Sequence, residues 1–139
     1  MNNPKFRFWM ILSVLWTAVI FGFSAFSRDV SGTQSTAVWE VLRTIWSSLT
    51  EEKVRSIAHC LEFAVLGWFT VGMFFHTKSF KLSKPLLYCL FIALCDETLQ
   101  KFVEGRAPEI KDIWLDFGGA VVSILIFWGF FSMRKSAKK

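Results

Sequence analysis

The chain has 139 residues, enough for one domain (1–139), and 53% of them are hydrophobic, including 16 Phe and 7 Trp, which is the composition of a membrane protein. Its net charge of +5 does not indicate nucleic acid, because the basic residues lie in short segments between apolar runs, where they set topology and meet anionic lipid. Cys60, Cys89 and Cys95 all fall in apolar runs; an odd number cannot complete a disulfide framework, and they are expected to pack as small hydrophobes.

The first apolar run, Phe8 to Phe26, carries no charge. It is longer than the core of a secretory signal and no small-x-small cleavage site follows, so it reads as a retained helix. Between Ser27 and Ser56, Val38, Val41, Leu42, Ile45, Trp46 and Leu49 recur at helical spacing, with Glu40, Arg43 and Ser47 opposite. This predicts an amphipathic helix lying on the outer surface, with Trp39 and Trp46 suited to the membrane interface. Thr50 before Glu51 and Glu52 is an N-cap signal, so the second helix is expected to begin outside its apolar part, Ile57 to Phe75, which holds only His59 and Glu62. A basic turn, Lys78 to Pro85, leads into an eleven-residue run that ends at Asp96 and Glu97. A crossing needs about 20 residues, so the third helix is expected to reach Val103, with Asp96 within roughly 3 Å of its midpoint. Gly105 to Pro108 breaks the chain, and Ile113 to Phe131 carries only Asp116. No strand alternation or hairpin signal competes. The fold class is therefore an all-α membrane protein: a four-transmembrane-helix bundle with spans at about 8–26, 57–75, 85–103 and 113–131 and an outer amphipathic interfacial helix.

Four crossings place the N-terminus, the 76–84 loop and the C-terminal tail on one side. Those segments hold nine basic residues and no acid, while the other side holds seven basic and all eleven acidic residues. Basic short loops stay in the cytoplasm. The expected location is the plasma membrane, multi-pass, with both termini cytoplasmic.

Polar residues interrupt the apolar runs at helical spacing. Arg55, His59 and Glu62 share a face of the second helix; Asp96 and Gln100 share one on the third, with Glu97 and Lys101 beside it. Asp112, Asp116, Gly119 and Ser123 line the fourth, and Ser13, Thr17 and Ser24 the first. An ionised side chain facing lipid near the bilayer centre costs about 2.5–3.5 kcal/mol, so these stripes are expected to face one another. Arg55, His59, Lys101, Arg106 and Lys111 are the available positive partners. Charges that merely hold the helices in register are the competing explanation. His59 with Glu62, Asp96 or Glu97 forms a candidate acid–base cluster. Arg55, Gln100, Arg106, Asp112, Asp116 and Ser24 are candidate binding residues, with Arg55 and Arg106 suited to a lipid phosphate. No compact metal motif is present, so no metal or other cofactor is assigned, although His59 plus carboxylates could bind a divalent cation.

The segment "CDETLQKFVEGRAPEIKDIWLDFGG" resembles the signature of the VanZ-like family, through Asp96, Glu97, Gln100, Phe102, Gly105, Arg106, Asp112, Asp116 and Gly119. "RSIAHCLEFAVLGW" resembles the family's second-helix motif, giving His59, Glu62, Phe63, Leu66 and Gly67, and "FGFSAFSRDVSGTQS" its first-helix exit, with Ser24, Ser31 and Ser35. The chain departs from the family at Ser56, where Lys is common, and at Phe26, where Gln is common. The family takes its name from a protein linked to teicoplanin resistance, so the resemblance implies an envelope role that includes glycopeptide tolerance.

The leading expectation is an extracytoplasmic activity that binds or modifies an anionic lipid or a lipid-linked wall intermediate. Its partners would be membrane lipids, such a wall intermediate or a glycopeptide, and not nucleic acid. Enzyme and binding protein are both compatible with the residues. A small proton-coupled transporter and a structural membrane protein are the alternatives; against the former, no inverted repeat or pair of broken helices is evident.

Overall fold

The structure is a computed structural model and describes residues 3–25, 50–103 and 109–136. The expected outer amphipathic helix, Ser31, Ser35 and the turn containing Gly105, Arg106 and Pro108 lie outside the described residues. Four helices and no strand occur among the described residues: α1 (Pro4–Ser24), α2 (Glu51–Phe75), α3 (Ser83–Gln100) and α4 (Ile110–Ser136).

Local chemistry sets the boundaries. Pro4 begins α1, where its missing N–H costs nothing, and the Asn3 side chain accepts from Lys5 N at 3.1 Å. Thr50 caps α2 as expected, its Oγ1 accepting from Lys53 N at 3.4 Å. Pro85 falls in the first turn of α3, and Asp112 supplies a carboxylate to the first turn of α4, the favourable end of the helix dipole.

Among the described residues, three helices are long and apolar enough to cross a membrane: Pro4–Ser24, Lys53–Phe75 and Ile110–Phe131. The third helix differs from its expected form. It ends at Gln100, and Lys101 to Val103 form a turn. Its 18 residues rise about 27 Å, slightly less than the roughly 30 Å hydrocarbon thickness. Asp96 therefore lies about 7 Å past the helix midpoint rather than near it, one turn from the end. The carboxylates are buried nonetheless: Asp96 is 0% and Glu97 5% exposed.

α2 packs against all three other helices, most extensively against α4. α3 also touches α1 and α4. α1 and α4 lie at opposite corners, and Trp9 and Phe127 reach across the bundle to meet edge to face at 6.0 Å between ring centroids. The α2–α4 seam is close because its residues are small. A Cβ on Gly67 would meet the Ser123 side chain and the Ala120 backbone, and one on Gly119 would meet the Cys60 carbonyl. Aromatic rings fill the end of the bundle that carries the N-terminus, with Phe75, Phe127 and Phe131 in mutual contact and Trp68 edge-on to Phe127. The three cysteines are free thiols.

The distribution of polarity is inverted relative to a water-soluble bundle. Large apolar side chains face outward on every helix, among them Phe8, Val14, Leu61, Phe91, Trp114, Val122 and Ile126, while Ser24, Thr70, Asp96, Glu97, Gln100 and Asp116 are buried. So large an outward apolar surface needs lipid to cover it.

Candidate functional site

The buried carboxylates gather, with Ser24 and Gln100, at the end of the bundle opposite the N-terminus. α1 contributes its last residue, Ser24; α3 its final turn and a half; α2 and α4 their first halves. Because consecutive helices run antiparallel, the sequence positions 24, 59–62, 96–100 and 116 come to one level.

Asp96 is the most constrained member. Ser24 Oγ donates to its Oδ1 at 2.5 Å, and Gln100 Nε2 donates to its Oδ2 at 2.9 Å. Gln100 reaches it because residues i and i+4 share a helix face. Ser24 and Gln100 are themselves 2% and 6% exposed, so the carboxylate is oriented by two buried donors from two helices. Across from it, His59 Nδ1 lies 3.9 Å from Asp116 Oδ1 and 4.0 Å from Glu62 Oε2. The His59, Glu62 and Asp116 side chains are 16%, 25% and 2% exposed. His59, Asp96 and Asp116 each present one potential ligand atom, all within 4.8 Å of one another. Two carboxylates at that separation repel by at least about 3 kcal/mol at an effective dielectric of 20. The cluster thus requires positive charge or a shared proton to persist.

Glu97 points elsewhere. Its Oε1 accepts from the backbone N–H of Glu109, immediately before α4. The i, i+4 spacing predicts an ion pair with Lys101, but none forms: α3 has ended and Lys101 is exposed in the turn. Glu97 instead ties the end of α3 to the start of α4. Its Oε2, like Asp116 Oδ1, is buried with no hydrogen-bond partner among the described residues.

The expected cations divide. Lys111 pairs with Glu109 at 2.8 Å on the surface. Arg55 is half-buried on the His59 face. Arg106 lies outside the described residues. Asp112 is half-buried in the first turn of α4, outside the group of three potential ligands.

The polar stripes join one another at their outer members. Ser13 Oγ and Thr17 Oγ1 donate to carbonyls one turn back, those of Trp9 and Ser13, at 2.9 and 2.8 Å, and Thr17 Oγ1 also lies 3.4 Å from the Tyr88 hydroxyl on α3. Ser123 Oγ donates to the Ala120 carbonyl at 3.0 Å. Hydroxyls can satisfy themselves within a helix, whereas carboxylates cannot. One positioning contact escaped the periodicity. Trp16 Nε1, on α1, donates to the Glu62 carbonyl at 2.9 Å and fixes the level at which α1 meets the His59–Glu62 turn. A tryptophan in an apolar run needs an acceptor for its N–H, and that was the available signal.

Comparison with family models finds a match to one described as VanZ/LLP1 over residues 8–132. No curated protein matches the chain, and no solved structure does.

Proposed function

The chain belongs to the VanZ/LLP1 family, and from this membership and the buried cluster we propose that it acts at the extracytoplasmic face of the plasma membrane, binding or modifying an anionic lipid or lipid-linked wall intermediate. All four helices cross the bilayer in this reading, α3 included, with both termini cytoplasmic and a contribution to glycopeptide tolerance as the physiological outcome.

One observation carries the reading: buried, hydrogen-bonded Asp96 lies against His59 and Asp116 at the end of the bundle opposite the basic termini. Basic residues retain their segments in the cytoplasm, which turns the cluster outward. Intramembrane ionisable groups are expensive and accompany substrate, ion or proton sites. A wholly structural role fits Glu97, which clasps two helices, better than it fits Asp96 and Asp116, which draw together groups that repel. At the outer leaflet, a lipid headgroup is the polar ligand available at this depth. His59 with a neighbouring carboxylate supplies an acid–base pair, and Arg55 a cation for phosphate.

The test is lipid and wall-precursor profiling of cells carrying the intact protein, the Asp96→Asn variant or neither. A headgroup or precursor that changes with the intact protein alone supports modification. Unchanged lipids together with co-purification of an anionic lipid, lost in Asp96→Asn, support binding. Neither result in a folded protein refutes the proposal.

A further inference from the structure

We propose that His59, Asp96 and Asp116 form a binding site for one divalent transition-metal ion, of the Zn2+ or Mn2+ class, which presents positive charge to the ligand's phosphate. The second half of this statement rests on the lipid reading; binding of the ion does not.

The donor set is one imidazole nitrogen and two carboxylate oxygens from three different helices. Imidazole suits zinc and its neighbours, carboxylate suits harder ions such as manganese, and a mixed set is compatible with both. Metal–ligand bonds of about 2.0–2.2 Å place two ligand atoms at most roughly 4.4 Å apart. The 3.9 Å between His59 Nδ1 and Asp116 Oδ1 already lies inside that limit, and the 4.8 Å bound on all three needs only a small side-chain rotation.

Two further observations point to a cation rather than to an acidic cluster alone. Asp116 is 1% exposed, and its Oδ1, directed at His59, has no hydrogen-bond partner among the described residues. A buried carboxylate oxygen left in that state is costly, and a metal bond would satisfy it. Asp96 is held as an outer shell holds a ligand: Ser24 and Gln100 donate to its two oxygens and fix its plane, and one of those oxygens lies within 4.8 Å of the potential ligand atoms of His59 and Asp116. Three protein ligands also leave a coordination position open. The charge argument agrees. Glu62, Asp96, Glu97 and Asp116 lie at one end of the bundle and would repel a phosphate, whereas a bound dication offsets the charge of the two carboxylates that hold it and offers its open coordination position to a phosphate oxygen.

The experiment uses the full chain in detergent micelles, without added lipid, titrated with Zn2+ and with Mn2+ by calorimetry and, for Mn2+, by electron paramagnetic resonance. One saturable ion per chain is expected, abolished by His59→Ala and by Asp116→Asn and retained by Glu109→Gln, whose side chain pairs with Lys111 on the surface. Ser24→Ala should weaken binding by about 10- to 100-fold, the usual effect of losing an outer-shell partner. X-ray absorption of the unmodified protein loaded with zinc gives a readout that does not depend on variants folding, and should show one imidazole among oxygen ligands. Absence of saturable binding, equal affinity in His59→Ala, or a shell without imidazole overturns the site. If metal binds but lipids and precursors are unaffected, the site stands and the lipid reading falls; lipid effects in a protein that binds no metal give the reverse.

Discussion

Replacing Gly119 with alanine should separate the two longest-contacting helices and loosen the site at once. Gly119 follows Asp116 by three residues on α4, and the atoms it faces belong to Cys60, the neighbour of His59 on α2. An added Cβ would lie 3.0 Å from both the carbonyl carbon and Sγ of Cys60, and against its carbonyl oxygen. Non-bonded carbons pack at about 3.5–4.0 Å and the carbonyl oxygen is nearer than either of these atoms, so α4 must retreat by roughly 1 Å or more. The main obstacle is backbone, which cannot rotate aside. Overpacking of this kind costs about 1–3 kcal/mol. Gly118 provides an internal control, because nothing lies within 4 Å of the same added atom there. Gly118→Ala should stabilise by about 0.5–1 kcal/mol through helix propensity. The propensity gain is common to the two variants, one residue apart in the same helix, so they should differ by the overpacking cost alone, roughly 1–3 kcal/mol. Reversible unfolding in mixed micelles, followed by circular dichroism, measures the difference. A Gly119→Ala protein as stable as Gly118→Ala would refute the close α2–α4 approach, and with it the His59–Asp116 distance that depends on it.

Asp96→Asn should abolish the lipid effect while the protein still inserts and folds, whereas Glu97→Gln should chiefly lower stability, because Glu97 binds the Glu109 N–H; equal loss of activity at equal expression would remove that division. For topology, single cysteines placed at Ser48 and Ser136 in a cysteine-free background should label with an impermeant reagent in intact cells at Ser48 only, and labelling at Ser136 alone would reverse the orientation. His76, at the end of α2, has its pKa held below the ordinary 6.5, first by burial and then by Lys5. The neutral imidazole is thus favoured by folding: its contribution is complete above pH 6.5 and is lost as pH falls through the lowered value. Lys5→Gln should raise the His76 pKa without restoring it fully, as read from imidazole proton shifts; an unchanged value would show that the N-terminus of α1 and the end of α2 do not meet, despite the Asn3 Nδ2 bond to the His76 carbonyl at 3.1 Å.

Length and hydrophobicity along the chain located the four helices of the described residues, which they read as four crossings, and Thr50 marked the start of the second; the structure makes three of the four long and apolar enough to cross a membrane. These properties are local: a run of apolar side chains and a capping hydroxyl act within a few residues. Periodicity likewise identified His59, Glu62, Asp96, Gln100 and Asp116 as members of inward faces, because a charge on a lipid-facing side is too expensive to keep. Tertiary structure decided which members meet. Ser24 reaches Asp96, Ser13 turns back to its own helix, and Thr17 both turns back and meets Tyr88, and spacing alone treats the three alike. Glu97 and Lys101 have the spacing of an ion pair, but the helix that would align them stops at Gln100, and a backbone N–H twelve residues away takes the carboxylate. The proximity of His59 to Asp116 depends on Gly119 and Ala120 letting α4 approach α2. That approach is a property of two surfaces fitting together, and no single segment encodes it.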